Sequence, residues 1–419
     1  MIDLIKTGFQ RGLFHILGVN FFVQFLNFGL VIFVAGYLSK SDLGDLKLIQ
    51  SYAVLFIMLG AFGYDSSALK LCSENISCRQ KTADLSFAFT RVLKFSLLSV
   101  IAFNGLSYSY ISAGDSRLLG LIGIYSILVI FTAFSYLSLS FLQSQKMVKK
   151  AAMVQFVTKL IFVAAVFVSA YFWQLEGIII STVLAAIVGL LVYYPFVRKY
   201  IDFGLLAESR SSQVNKYAYA IVFGAVLTLV SQNLDIYLLD YFSANKEDIG
   251  VYSIATIYYT AAVLVISTMQ TFVLPYFSEK SGDIDWIKQR AVRYQLVFVA
   301  VSVIVCVGVM LFAKVLDLYY FSDGYQDAFY LGLILLCKFF CWSGYSVLGI
   351  ALFAQGIIKP GIYLVAVGIV INLVLSFWLY DAHGYYGVAT SQAVTALVSF
   401  FLAVAMFMYY IGCRPNASD

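Results

Sequence analysis

The chain has 419 residues, of which 62% are hydrophobic and only 12% are charged. Soluble domains carry about 25% charged residues, so this composition excludes a soluble protein and indicates an integral membrane protein. The net charge of +5 is small for this length and predicts no nucleic-acid partner.

Twelve apolar runs are long enough to cross a bilayer, for which a helix needs about 20 residues. Their lengths suit helices and not the short alternating strands of a membrane barrel. The sequence therefore predicts an all-α integral membrane protein with about 12 transmembrane helices. The runs are 12–38, 46–70, 92–112, 118–142, 151–172, 177–197, 217–242, 250–277, 294–313, 326–355, 360–380 and 385–411.

The basic residues between the runs are unevenly distributed. Most of the 27 lysines and arginines lie at the N-terminus, after even-numbered runs, or at the C-terminus. Cytoplasmic loops carry the positive excess in membrane proteins. Both termini are therefore expected in the cytoplasm, and the odd-numbered loops on the opposite side.

Short motifs recur between the two halves of the chain, at offsets of 210 or 206 residues. We therefore predict two six-helix halves related by a pseudo-two-fold repeat: a bundle at 1–200, a cytoplasmic linker at 201–216 and a second bundle at 217–419. Transporters often place their pathway between such halves. The matching positions are Gln145 and Gln355, Lys149 and Lys359, Gly177 and Gly387, Ser181 and Ser391, and 42–44 and 248–250.

The seventh run, 217–242, contains two carboxylates, Asp235 and Asp240. Asp240 is expected near the membrane surface, whereas Asp235 lies about two turns deeper. A charge at that depth costs at least ~2.5 kcal/mol and usually faces protein or a water-filled cavity. Gln232 and Asp235 share one helix face, and Asn233 lies between them. We predict that Gln232, Asn233 and Asp235 line a lumen.

The first run carries polar side chains at Asn20, Gln24 and Asn27, spaced i, i+4 and i+7 on one face. One interpretation is that this stripe lines a hydrophilic cavity. The other is hydrogen bonding between helices, which contributes about 0.6 kcal/mol per contact.

Two lysines lie within apolar runs, too deep to reach the surface easily. Lys338 is near the middle of the tenth run and Lys159 is within the fifth. Each is predicted to line the lumen and contact an anionic group of a substrate. The alternative is a structural ion pair, for example between Lys338 and Asp235.

Asp65 closes the second run near the predicted cytoplasmic side. We expect Asp65, Arg91 and Asp240 to form ion pairs of a gate or of the framework. The sequence shows no catalytic constellation, so no enzymatic activity is predicted. With only two histidines a metal site is not expected either. The sequence contains no phosphate-binding glycine-rich loop, so no nucleotide cofactor is expected.

Several motifs along the twelve runs together carry a family resemblance: 42–44 (DLG), 60–65 (GAFGYD), 141–146 (FLQSQK), 233–235 (NLD) and 249–253 (IGVYS). In their order the chain resembles the polysaccharide transporter branch of the multidrug/oligosaccharidyl-lipid/polysaccharide exporter superfamily, most closely the Wzx-type O-antigen flippases. The resemblance implies two bundles arranged as a V around a central hydrophilic lumen, in a bacterial inner membrane.

By this resemblance the protein would flip an undecaprenyl-diphosphate-linked oligosaccharide repeat unit to the periplasmic leaflet by alternating access. Its partners would be that substrate, membrane lipid and, in some systems, an O-antigen polymerase and a chain-length regulator. The lumen of many family members is more highly charged, which leaves coupling to H+ or Na+ open. The alternatives are a multidrug or metabolite exporter of the same superfamily, and a membrane polysaccharide polymerase.

The charge distribution predicts which loops face the cytoplasm. In intact cells lacking the natural cysteines, Lys149→Cys should be protected from a membrane-impermeant thiol reagent, because its loop is cytoplasmic. Lys246→Cys should react, because its loop lies on the opposite side. Labelling of residue 149 in unbroken cells would contradict the predicted topology.

Overall fold

The computed structural model describes residues 13–108, 115–242, 244–280, 283–321 and 325–412, apart from the side chains at 13–21, 23, 24, 148, 275 and 412. Within these ranges the regular secondary structure is entirely helical. This confirms the all-α class. In a bilayer no water is available to the backbone N–H and C=O groups of an apolar segment. A helix satisfies these groups within the segment itself, which is why the apolar runs are helical.

Thirteen α-helices make up most of the described chain. Several begin with a side-chain cap: Asp115 accepts hydrogen bonds from the backbone of Arg117 and Leu118, and Asp283 from that of Trp286. Each such cap contributes about 1 kcal/mol. The helices are α1 Leu13–Tyr37, α2 Lys40–Ala61, α3 Tyr64–Cys72, α4 Cys78–Leu106, α5 Ser116–Ser144, α6 Val148–Val197, α7 Ser211–Tyr241, α8 Lys246–Glu279, α9 Ile284–Tyr319, α10 Gln326–Ser343, α11 Ser346–Ala354, α12 Lys359–His383 and α13 Tyr385–Phe407.

Ten helical segments in the described ranges are long and apolar enough to cross a membrane. One of them, Lys149–Tyr200, has 52 residues and would be about 78 Å long as a straight helix, more than twice the ~30 Å hydrocarbon core. It therefore holds two spans, and the backbone of Gln174 (φ 47°, ψ −129°) breaks the helix between them. Together with α1, these segments account for the twelve predicted spans.

The predicted repeat is visible in the turns that end α5 and α11. Lys146 and Gly356, 210 residues apart, both have positive φ, at 58° and 75°. The two turns also share their backbone hydrogen bonds, in the pattern that closes a helix with a left-handed residue. These bonds are Lys146 N to Gln143 O (2.9 Å), Met147 N to Leu142 O (3.0 Å), Gly356 N to Phe353 O (2.9 Å) and Ile357 N to Leu352 O (3.0 Å).

A second pair of turns repeats at the same offset. Gln174 has its counterpart in Gly384, whose φ of 56° and ψ of −137° are almost the same. Three residues later, a Cβ at Gly177 would lie 2.6 Å from the carbonyl oxygen of Ser169, and a Cβ at Gly387 would lie 2.2 Å from a carbonyl oxygen as well. Only glycine fits at either position, which explains why the sequence matches there.

The chain forms two compact units. The first comprises Met1–Ser39 and Asp45–Val230, and the second comprises Lys40–Gly44 and Ser231–Asp419. The division falls inside α7, so its first twenty residues, 211–230, pack with the first unit. The predicted boundary, a linker at 201–216, lies earlier in the chain and overlaps the first turns of α7.

The segment 40–44 joins the second unit through a close backbone contact. A Cβ at Gly44 would lie 2.0 Å from the carbonyl oxygen of Lys246, and a Cβ at Gly250 would lie 2.0 Å from that of Lys40. Glycine is therefore required at both places. The two motifs that match at offset 206 thus contact one another reciprocally at the starts of α2 and α8.

The start of α7 is anchored on α3 within the first unit. The buried Tyr64 hydroxyl donates a hydrogen bond of 2.7 Å to the Asn215 side-chain oxygen. The Ser67 hydroxyl donates a 2.9 Å bond to the carbonyl oxygen of Val214. Both bonds lie close to a break at Phe62 and Gly63 that separates α2 from α3.

The core of the second unit joins five helices, α8, α9, α10, α11 and α13. Packing between α8 and α10 is close, because a Cβ at Gly332 would lie 2.6 Å from the ring of Tyr258. This contact fixes α10 against α8. The largest side chains of the core include Phe277, Phe298, Phe339 and Phe407.

The predicted linker is ordered and folds back onto the first unit. It contains the 3-10 turn Phe203–Glu208 and directly follows the 3-10 turn Arg198–Tyr200. Arg210 then donates to both carboxylate oxygens of Asp84, from its backbone N–H at 2.8 Å and from its guanidinium at 2.8 and 2.9 Å. The Asp84 side chain is only 2% exposed, and Glu74 lies 2.6 Å from the same guanidinium. Arg210 thus fastens the linker to the first unit.

Replacing Arg210 should destabilise the protein, because Asp84 would remain buried without its cation. Removing one partner of a buried ion pair costs about 3 kcal/mol or more. We expect Arg210→Ala to lower the free energy of unfolding, measured in detergent, by about 3 kcal/mol.

The matched control is Arg79→Ala, which removes the solvent-exposed ion pair between Arg79 and Glu208. This change should have little effect, because exposed pairs contribute little. Equal effects of the two substitutions would contradict the assignment of Arg210 as the residue that fastens the linker.

Candidate functional site

The polar residues predicted on α7 differ in their exposure. Asp235 is buried, at 4% exposure, whereas Gln232 is exposed and Asn233 is half-buried. The Asp235 carboxylate accepts hydrogen bonds from the Tyr252 hydroxyl at 3.1 Å and from the backbone N–H of Ile236 at 3.0 Å. Asp235 is therefore a satisfied buried acceptor here, and its role as a lumen residue stays a prediction.

Lys338 lies on α10 and is half-buried. Its ammonium stands over the ring of Tyr259, 4.6 Å from the ring centre, and interacts electrostatically with Asp235. A cation over an aromatic face gains about 0.5–2 kcal/mol. Among the described residues Lys338 has no direct ion pair, so the ion pair with Asp235 that was the alternative interpretation is not formed directly.

These contacts define a group that we call the Lys338 cluster: Asp235, Tyr252, Tyr259 and Lys338. Tyr252 and Tyr259 are seven residues apart on α8, two turns along one face. One tyrosine holds the carboxylate and the other lies under the ammonium. The cluster joins α7, α8 and α10 within the second unit.

Sequence reasoning singled out Asp235 and Lys338 but missed Tyr252. The chain has 31 tyrosines, and most carry no pattern that would distinguish them. The available signal was the i, i+7 spacing of Tyr252 and Tyr259, which places both rings on one face of a helix.

Lys159, the second predicted lumen cation, lies in the first unit. It is half-buried on α6, and its ammonium stands 3.9 Å from the ring centre of Phe162. Asn27 on α1 is also half-buried. Asn20 and Gln24 lie on α1 too, but their side chains are outside the described residues. Lumen contact by these four residues remains a prediction.

The predicted gate residues Asp65 and Arg91 have different contacts in the described structure. Asp65 accepts a 3.3 Å hydrogen bond from the Ser66 hydroxyl, while the Arg91 guanidinium stands 4.9 Å from the ring centre of Phe87. Within the part of the chain that the structure describes, Asp65 and Arg91 form no ion pair with each other, because Arg91 packs on its own helix. Asp240, near the end of α7, is half-buried.

The described residues hold no group of three or more His, Cys, Asp or Glu side chains that could bind a metal ion. The Lys338 cluster presents a cation, a buried carboxylate and aromatic rings, which can bind an anionic or sugar-bearing ligand.

Tyr252→Phe should destabilise the second unit, because it leaves one oxygen of the buried Asp235 carboxylate without its donor. We expect a loss of about 1–3 kcal/mol in the free energy of unfolding, measured in detergent. Tyr259→Phe keeps the ring under Lys338 and is the matched control, with a much smaller effect. If both substitutions had the same effect, the Tyr252 hydrogen bond would not be what holds Asp235.

Solved membrane transporters share this fold. The inward-facing structure of a multidrug resistance MATE family transporter of the MOP superfamily aligns with a TM-score of 0.79 and 15% identity, over 95% of this chain and 96% of that chain. The lipid II flippase MurJ, in an inward closed conformation, gives 0.78 and 15%, over 95% and 87%. A MOP superfamily transporter from Pyrococcus furiosus gives 0.67 and 16%, over 95% and 94%. At such identities the likeness establishes a common fold.

A comparison with curated protein sequences gives no significant match. The family described as "Polysaccharide biosynthesis protein" matches residues 9–281. This match covers about two thirds of the chain and includes α1 to α8, with Asp235, Tyr252 and Tyr259 but without Lys338. The chain therefore belongs to the polysaccharide biosynthesis protein family.

Proposed function

We propose that this protein is a flippase that moves an undecaprenyl-diphosphate-linked O-antigen or polysaccharide repeat unit from the cytoplasmic to the periplasmic leaflet. Three findings support a transporter of lipid-linked sugars: the family membership, the apolar spans, and a fold similar to that of a lipid II flippase. The observation that carries the proposal is Lys338, a half-buried cation within a membrane span.

The substrate presents a diphosphate between its lipid tail and its sugars. Moving such a charge into an apolar interior is prohibitive unless another charge compensates for it. A lysine ammonium offers a compact positive charge and three hydrogen-bond donors. In the described chain Lys338 donates no hydrogen bond to another protein group, so its donors are available to a phosphate oxygen.

The other residues of the Lys338 cluster lower the free-energy cost of this cation when no substrate is bound. A lone charge in a bilayer is costly, and intramembrane charges are usually compensated by nearby groups. Asp235 supplies opposite charge, and Tyr252 holds its carboxylate. Tyr259 offers the negative face of its ring to the ammonium. The substrate's phosphate can then bind Lys338 without disrupting the Asp235 hydrogen bonds.

The same fold in a MATE transporter makes a multidrug or metabolite exporter the second candidate. The first span, however, contains no carboxylate and no proline between Leu13 and Tyr37. Drug transport by the purified protein, with normal surface glycan after gene deletion, would favour the exporter. A polysaccharide polymerase is a weaker candidate, because all loops predicted on the periplasmic side are short.

In this proposal the protein works by alternating access in a bacterial inner membrane, with both termini in the cytoplasm. Its substrate arrives from the cytoplasmic leaflet and is passed to an O-antigen polymerase and a chain-length regulator in systems that have them. Coupling to H+ or Na+ stays an open question, for which transport measured across imposed ion gradients is the test.

Lys338→Ala should impair transport strongly, because the diphosphate would lose its compensating charge. Lys338→Arg should retain a good part of the activity, since it keeps the charge. The assay is surface O-antigen in a strain that lacks this gene and is complemented with each variant at matched protein levels.

The matched control is Lys288→Ala, which removes an exposed lysine from α9 and should leave surface glycan unchanged. Normal glycan from Lys338→Ala would remove Lys338 from the mechanism. Normal glycan in the deletion strain itself, with no second flippase present, would overturn the flippase proposal.

A further inference from the structure

The tenth span is broken in its interior. Helix α10 ends at Ser343 and α11 begins at Ser346, with Gly344 and Tyr345 between them. In an uninterrupted helix the backbone N–H of Val347 would donate to the carbonyl oxygen of Ser343, four residues earlier. Here these two groups are held by a side chain from another helix.

That side chain is Gln295 of α9, which is only 8% exposed. Its Nε2 donates to the carbonyl oxygen of Ser343 at 2.7 Å, and its Oε1 accepts from the backbone N–H of Val347 at 3.0 Å. The carboxamide thus stands in the place of one backbone hydrogen bond. Insertion of a side chain into the helical ladder is a recognised cause of sharp kinks.

Two further bonds support the broken segment. The Ser346 hydroxyl donates to the carbonyl oxygen of Ser343 at 2.9 Å. From α8, Gln270 Nε2 lies 3.4 Å from the carbonyl oxygen of Ser346. The backbone at the break is therefore satisfied from two neighbouring helices, as an apolar environment demands.

The first half of the chain provides an internal comparison. Its fourth span, α5, is continuous from Ser116 to Ser144, and Phe134 and Ser135 occupy the positions of Gly344 and Tyr345 at the offset of 210. The residue of α4 that corresponds to Gln295 is Phe89 at an offset of 206 and Leu85 at an offset of 210. The half with an apolar residue at this position has the unbroken helix, and the half with the glutamine has the broken one.

We propose that Gln295 is a positioning residue that holds the tenth span bent and thereby sets the place of Lys338. Lys338 lies on α10, five residues before the end of that helix at Ser343. The importance of that place for transport rests on the proposed function, whereas the bridge itself does not. Without the carboxamide, the Ser343 carbonyl oxygen and the Val347 N–H can bond only by approaching one another directly. This approach straightens the span and moves α10 relative to α11.

The direct test is a distance across the break in the full-length protein. Spin labels at Tyr330→Cys and Phe353→Cys, both exposed positions, report on α10 and α11 in a background without the natural cysteines. A straight helix separates them by about 35 Å along its axis. Gln295→Leu should shift the measured distance toward that value, and Gln295→Met, which keeps the unbranched shape without hydrogen bonding, should do the same.

The matched control is Ser302→Ala, which removes another buried polar group of α9 that bonds only within its own helix. It should leave the distance unchanged. An unchanged distance in a folded Gln295→Leu or Gln295→Met protein would overturn the bridge.

The positioning role has its own readout. The rate at which Lys338→Cys reacts with a small thiol reagent should change severalfold when Gln295 is replaced and stay constant with Ser302→Ala. A shifted distance with an unchanged reaction rate would overturn positioning of Lys338. Normal glycan in the deletion strain, together with a shifted distance, would overturn the proposed function and leave the Gln295 bridge standing.

Discussion

Backbone polar groups inside a bilayer have no water to bind, so each N–H and C=O group must find a hydrogen-bond partner within the protein. The whole structure depends on this constraint. Continuous helices satisfy it at each ordinary position. Breaks are possible only where other groups bind the freed backbone atoms or where each helix end satisfies its own. In the tenth span the Gln295 carboxamide does this from α9. Beside the break between α2 and α3, Phe62 donates back to Met58 and Gly63 accepts from Ser67, so each helix end closes on itself.

Features that depend on local sequence could be predicted. Apolar length gave the twelve spans, and the positions of Gly177 and Gly387 gave the repeat, because a tight backbone approach leaves glycine as the only residue that fits. The break at Gly344 could not be predicted in this way. The residues there, Ser343 to Ser346, interrupt the apolar run only briefly. The side chain that holds the break comes from Gln295, 48 residues earlier in the chain and within another apolar run.

Only the charged residues of the site could be predicted from the sequence. Lys338 and Asp235 stand out because charges are rare in apolar runs, and the structure places both in one cluster. Their immediate partners depend on how α7, α8 and α10 pack, which no local pattern encodes. The same limit applies to Arg91, which was expected to form an ion pair and whose guanidinium stands over an aromatic ring of its own helix.

Gly44 and Gly250 occupy corresponding positions of the repeat, and each approaches the carbonyl that corresponds to the one approached by the other. Such reciprocity is the property of a two-fold interface, where residue i meets j and j meets i. The two glycines therefore share one steric constraint, and neither can gain a side chain while the other's helix stays in place.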